Sequence, residues 1–138
     1  MKLHSTNYTN TFIETAEDCP AKAGQFPPVK VGPSIASLQF DMVYKHPYTY
    51  SSDDVLFHVY ATRNDIPESE WKAKRDEFFS KGQPCFRASP LTKRYGWGVH
   101  SNQEGKIAVY GTETEEYQQF LADDSIRKVK AMRSKKHG

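Results

Sequence analysis

The chain has 138 residues, of which 37% are hydrophobic, 13% aromatic and 26% charged. That size fits one globular domain of roughly 100–150 residues and argues against two. Apolar runs such as Val55-Leu56-Phe57 fall far short of the ~20 residues that cross a bilayer, and residues 1–7 carry one charge with no apolar run behind it. Neither a membrane span nor a secretory signal is legible, so the expectation is a cytoplasmic protein with no membrane partner.

The net charge of +2 is unevenly placed. Residues 1–86 hold nine Lys/Arg against eleven Asp/Glu, and residues 87–138 hold ten against six. The excess gathers in Arg127, Lys128, Lys130, Arg133, Lys135 and Lys136, with no acid after Asp124. If these share one surface they favour an anionic partner; the plainer reading is a solvated basic tail over residues 134–138. Cys19 and Cys85 stand 66 positions apart without Cys or His neighbours at zinc-ligand spacing, so no metal site and no cofactor is expected.

In chain order, residues 10–16 are Thr-rich, alternate about Phe12 and end at Asp18-Cys19-Pro20, which predicts a strand. Residues 21–33, with three Pro and two Gly, read as a loop. Behind it Ser34 is a cap for a helix carrying Ile35, Leu38, Met42 and Val43, stopped at His46-Pro47.

From Asp54 to Ala61, apolar residues occupy both parities, which suits a central strand covered on much of both faces. Asp53 and Asp54 would cap its start, because adjacent strand residues point to opposite faces and cannot share a proton or metal. Residues 67–81 predict a helix, with Pro67 in the first turn, Glu70 placed to pair with Lys74, Gly82 as the stop and Trp71, Phe78 and Phe79 facing inward. Residues 95–100 and 106–110 predict a hairpin. Thr112 with Glu115 has capping-box form for a helix whose buried stripe is Tyr117, Phe120 and Leu121. Residues 125–136, with Ile126, Val129 and Met132 every third position, fit neither period cleanly and lean to an edge strand. The sum is an α+β single domain, an antiparallel or mixed sheet with about three helices mainly on one face.

The densest polar stretch is residues 82–100. There Arg87, Lys93 and Arg94 could clamp a phosphate or carboxylate, with Ser89 and Thr92 adding hydroxyl donors. Trp97, flanked by Gly96 and Gly98, and His58 complete the candidate ligand-binding set. The plainer reading gives the glycines to crowding around Trp97 and pairs the arginines with acids such as Asp76 or Glu77. No phosphate loop is present, and Ser89 to Lys93 is one residue too long for the Ser-x-x-Lys nucleophile pattern.

Two alternatives stand beside this anion-binding reading. One is an enzyme with Cys85 as nucleophile and His58 or His100 as base, against which a Cys between Pro84 and Phe86 reads as a packed apolar residue. The other is nucleic-acid binding through the basic C-terminal segment, with Tyr44, Tyr48, Tyr50 and Tyr60 as stacking surfaces.

The run Asn10-Thr11-Phe12-Ile13-Glu14-x-Ala16-Glu17-Asp18-Cys19-Pro20 and the core Gly82-Gln83-Pro84-Cys85-x-Arg87-Ala88-Ser89-Pro90-Leu91-Thr92-Lys93-Arg94-Tyr95-Gly96-Trp97-Gly98 resemble a family of small bacterial proteins of unknown function. The resemblance extends to residues 48–60 and 129–134, nearly the full length, and implies no activity. A weaker likeness, in the order hairpin, short helix and Ser125–Val129, is to small α+β proteins of the double-wing DNA-binding type.

Overall fold

The computed structural model describes residues 3–28 and 34–134. Strand β1 (Thr11–Glu14) is followed by helix α1 (Ile35–Tyr44), α2 (Ser52–Arg63), a 3-10 turn (Glu68–Glu70) running into α3 (Trp71–Phe79), a second 3-10 turn (Phe86–Ala88) and the single-turn α4 (Pro90–Lys93). The hairpin β2 (Trp97–Ser101) and β3 (Ile107–Gly111), helix α5 (Glu115–Ala122) and β4 (Arg127–Lys130) complete the chain. The sheet runs β3-β2-β1-β4, with β1 antiparallel to β2 and parallel to β4. This is the expected α+β class with a mixed sheet.

Alternation sorts the strands into two faces. Ile13, Trp97, Val99, Ile107 and Val109 join the main core with Phe40 and Val43 of α1, Val55 and Val59 of α2, and Leu91 of α4. Phe12 points the other way, where Tyr117 and Phe120 of α5 pack on it with ring centroids 4.9 Å away in each case. Helices therefore gather mainly on one face while α5 alone closes the other.

The segment expected as a central strand is helix α2. The Ser51 hydroxyl accepts from the Asp54 N–H while the Asp54 carboxylate accepts from the Ser51 N–H, a reciprocal cap that starts the helix. Its apolar residues form two stripes, each spaced four apart. Val55 and Val59 face the main core, whereas Phe57 and Ala61 face a second cluster with Phe79, Trp71 and Phe78. Two such stripes offset by two positions reproduce a strand's alternation, which is why the period misleads. Asp53 and Asp54 consequently part company. Asp53 accepts from Thr6 N–H at 2.7 Å and from the Ser5 and Thr6 hydroxyls, tying the N-terminal segment to α2. Asp54 pairs with Arg75 at 3.0 Å. Although burial pushes the Asp54 carboxyl up, its bonds to Ser51 and Arg75 hold it below the usual value.

Smaller differences also have local causes. The cap of α5 is Thr114, whose hydroxyl accepts from Tyr117 N–H, while the Thr112 hydroxyl instead donates to the Lys22 carbonyl. Lys74 pairs with Glu77 at 3.6 Å rather than with Glu70, which precedes the regular α-helix. β4 is the expected edge strand.

Candidate functional site

The predicted anion loop folds into a tight unit whose polar groups answer one another. Ser89 caps α4 by accepting from Leu91 N–H at 3.1 Å and donates to Gln39 Oε1 at 2.5 Å. Thr92, fully buried, donates to the Phe86 carbonyl at 2.6 Å and also reaches the Ser89 carbonyl. Arg87 Nε donates to the Lys130 carbonyl at 2.6 Å, on the outer edge of β4, rather than pairing with Asp76 or Glu77. Lys93 is half-buried and Arg94 exposed, and neither forms an ion pair among the described residues. Trp97 is buried, with its indole N–H on the Gln25 carbonyl at 2.8 Å. His58 lies on α2 and meets Trp71 edge-on at 5.2 Å.

The glycines beside Trp97 are occupied by the chain itself. Gly96 has φ +79°, and a Cβ there would run into the Ala23 carbonyl; one at Gly98 would strike the Phe12 and Tyr117 rings. Their small size accommodates packing.

A cleft of about 280 Å3 opens between α2, residues 83–90 and the starts and ends of the neighbouring helices α1 and α3. Its walls are largely apolar, with Ile35, Leu56, Val59, Phe78, Pro84 and Pro90 among them. Of the seven sequence-predicted ligand residues only Ser89 lines it. The polar groups around it differ in what they still offer. The Asn64 side-chain amide donates to the Tyr60 carbonyl at 2.8 Å and that of Gln83 to the Phe78 carbonyl at 2.7 Å. Gln39, 3% exposed, accepts from Ser89 through Oε1. Ser89 Oγ accepts from Leu91 N–H and donates its hydrogen to Gln39, so the amide turns its carbonyl toward Ser89. The Gln39 Nε2 group has no acceptor among the described residues and opens on the cleft. Arg63, in the last turn of α2, is exposed at the rim and is the single charged residue of the lining among the described residues.

Cys85 also lines the cleft, half-buried, with its thiol 3.6 Å from the Tyr8 hydroxyl. Burial and the Cys85 contact push the Tyr8 phenol up, so that it stays protonated. Neither proposed base pairs with this thiol: His58 packs on Trp71, and His100 Nδ1 lies 2.7 Å from the Tyr48 hydroxyl. That hydroxyl is 2.9 Å from Tyr110 Oη, in a chain held by Tyr48 at φ +57°. Burial lowers the His100 pKa against the opposing pull of Asp123 and raises that of Tyr48.

The basic residues of β4 do not share a surface. Lys128 and Lys130 pair in register with Phe12 and Glu14, on the α5 side, whereas Arg127 and Val129 pair with Thr11 and Ile13. Lys130 meets Glu17 at 3.2 Å, Lys128 reaches the Asp123 carbonyl, and Arg127 lies over the Tyr8 ring. Lys135 and Lys136 lie outside the described residues. Among the described residues no group of three or more His, Cys, Asp or Glu could hold a metal, and no helix is long and apolar enough to cross a membrane.

Gln39 and Arg63 were not singled out by the sequence reading. Gln39 carried a signal: it stands between Leu38 and Phe40 on the buried side of α1, with Ala36 and Val43, where a polar side chain demands a partner. Arg63 carried none, being one arginine at the end of a segment read as strand and turn.

These features define an α+β domain with a mostly apolar cleft among its helices. Residues 3–137 match the family of unknown function DUF6157, and the chain belongs to that family. No curated protein matches the chain, and no solved structure does.

Proposed function

We propose that this protein is a small-molecule-binding domain whose site is the cleft between α2 and residues 83–90. The observation that carries the reading is the nearly buried Gln39 amide, held by Ser89 with its donor end open on an apolar cavity. An amide donor that keeps solvent contact at the bottom of a mostly apolar cavity is suited to an acceptor from outside the fold. The volume lies near the lower end of ligand pockets, roughly 300–1,000 Å3, which suits a compact organic molecule. The expected role of residues 82–94 is thereby recast: Cys85, Ala88, Ser89 and Pro90 form a wall, and the charge comes from Arg63 on α2.

The test is thermal unfolding of the full chain against carboxylates, phosphorylated metabolites, divalent cations and short oligonucleotides, since a ligand selective for the native state raises the midpoint. Repeating it with Ala88→Leu, which fills the cleft, locates the effect. A rise confined to one class of small organic molecule and lost in Ala88→Leu supports the reading. A rise given by oligonucleotides alone and kept in Ala88→Leu would overturn it in favour of the basic C-terminal segment.

A further inference from the structure

We infer that the ligand of this cleft is an apolar monocarboxylate bearing a second acceptor oxygen on its body. The inference rests on the cleft being the binding site and names the chemistry that fits it. Three properties of the lining converge. The walls are hydrocarbon and ring surface from Leu56, Val59, Phe78 and the two prolines, which favours an apolar body. Among the described residues the lining contains no Asp, Glu or Lys, so Arg63 sets a charge preference of one sign and about one unit. Gln39 Nε2, at 3% residue exposure, is a donor without an acceptor among the described residues and asks for a neutral oxygen rather than a second charge.

The surroundings of Arg63 favour a carboxylate. The helix end it sits on has carbonyls already answered, because the Asn64 side chain donates to the Tyr60 carbonyl and the Asn64 N–H to those of Tyr60 and Thr62. Its guanidinium fork is therefore not needed to close α2, and a planar carboxylate matches that fork in two parallel bonds. A phosphate dianion carries more charge and more acceptor oxygens than one guanidinium and one amide satisfy, and the remainder would face apolar wall.

The experiment is a titration of the isotopically labelled full-length protein, followed by amide NMR shifts, with three related probes. β-Benzoylpropionate has the apolar ring, the ketone and the carboxylate; phenylbutyrate lacks the ketone; β-benzoylpropionamide lacks the charge. The keto acid is expected to bind most tightly, with shifts at Leu56, Val59 and Ala88. Loss of the ketone weakens binding about fivefold, as for one neutral hydrogen bond. Loss of the charge costs about fivefold, as for a solvent-exposed ion pair at the favourable end of its range. Arg63→Gln should abolish the preference for acid over amide and Arg63→Lys should restore part of it, and neither exposed change threatens the fold. Gln39→Met should abolish the preference for keto acid over phenylbutyrate. Equal binding of acid and amide at these same residues would overturn the carboxylate inference and leave the cleft intact as a site. Equal binding of keto acid and phenylbutyrate would remove the second acceptor. If no probe moves these amides up to about 5 mM, a generous ceiling for ligands of this size, the monocarboxylate inference fails, and the unfolding panel with Ala88→Leu decides the cleft reading separately.

Discussion

Residues 86–94 and the floor of the cleft touch at Ser89, yet their polar groups stand in opposite states. In the first region each buried hydroxyl has a partner within the chain, Ser89 with Leu91 and Gln39, Thr92 with Phe86 and Ser89. On the cleft floor the Gln39 amide is half answered, one end bonded and the other open. The density of hydroxyls and cations along a sequence therefore locates a tightly stitched turn as readily as a site. The informative quantity is hydrogen-bonding capacity that the fold leaves unused.

The contrast can be broken most severely at Thr92. Thr92→Val keeps the shape and removes the hydroxyl's bonds to the Phe86 and Ser89 carbonyls, which retain their backbone N–H partners, so it should cost about 0.5–1.5 kcal/mol, read from the urea midpoint at unchanged slope. Ligand affinity of the folded variant should be unaltered; a weakened ligand with intact stability would instead return Thr92 to the binding set.

The Tyr48–His100–Tyr110 chain offers a pH-dependent version of the same test. Around His100 stand Tyr48, Tyr110, Phe120 and Asp123, and burial keeps the folded-state value below the ordinary 6.5 despite Asp123. The unfolded chain then takes up its proton first. Stability contributed by neutral His100 is fully present above about 6.5 and is lost as the pH falls through the lower folded-state value. His100→Gln should flatten that part of the stability-versus-pH curve, and an unchanged curve would remove His100 as its source.

A smaller effect is expected at Arg87. Its bond to the Lys130 carbonyl is exposed, so Arg87→Ala should cost about 0.5 kcal/mol. It also uncovers an acceptor on the outer edge of β4, and unpaired edges invite pairing with other chains. Sedimentation should show more self-association than in the parent at high concentration; equal behaviour would mean the edge is guarded elsewhere. The smallest effect belongs to Arg94→Ala. The side chain is exposed and has no ion pair among the described residues, so the change should stay within about 0.5 kcal/mol by thermal unfolding and leave cleft binding intact. A large loss of affinity would revive the anion-clamp reading.

Sequence periodicity was reliable where an element buries one stripe or one face. Phe12 in β1, Ile35 to Val43 in α1, the 97–111 hairpin and even the weak 127–130 edge strand were legible for that reason. It failed at α2 because this helix is packed on two sides, by the sheet-facing core and by the Phe79 cluster, and doubled stripes imitate alternation. The cap at Ser51 and Asp54 was the available correction, since it depends on position rather than period. That one misreading also hid the cleft, whose long wall is the α2 side chains Leu56, Val59, Tyr60 and Arg63. Gln39 was legible only as an anomaly, a polar residue on an apolar stripe. What it answers to is decided by Ser89, fifty positions away, and no local pattern carries that.

The position of β1 has a consequence for how the molecule is made. This strand is made before every other element of the domain, yet it sits between β2 and β4, in register with residues 99–101 on one side and 127–130 on the other. Its antiparallel partner is synthesised some ninety residues later and its parallel partner later still. Such long closures are slow and leave strand edges open meanwhile. The nascent domain can build the helical layer early, but its sheet is completed only after β4, the last of its elements, has been made.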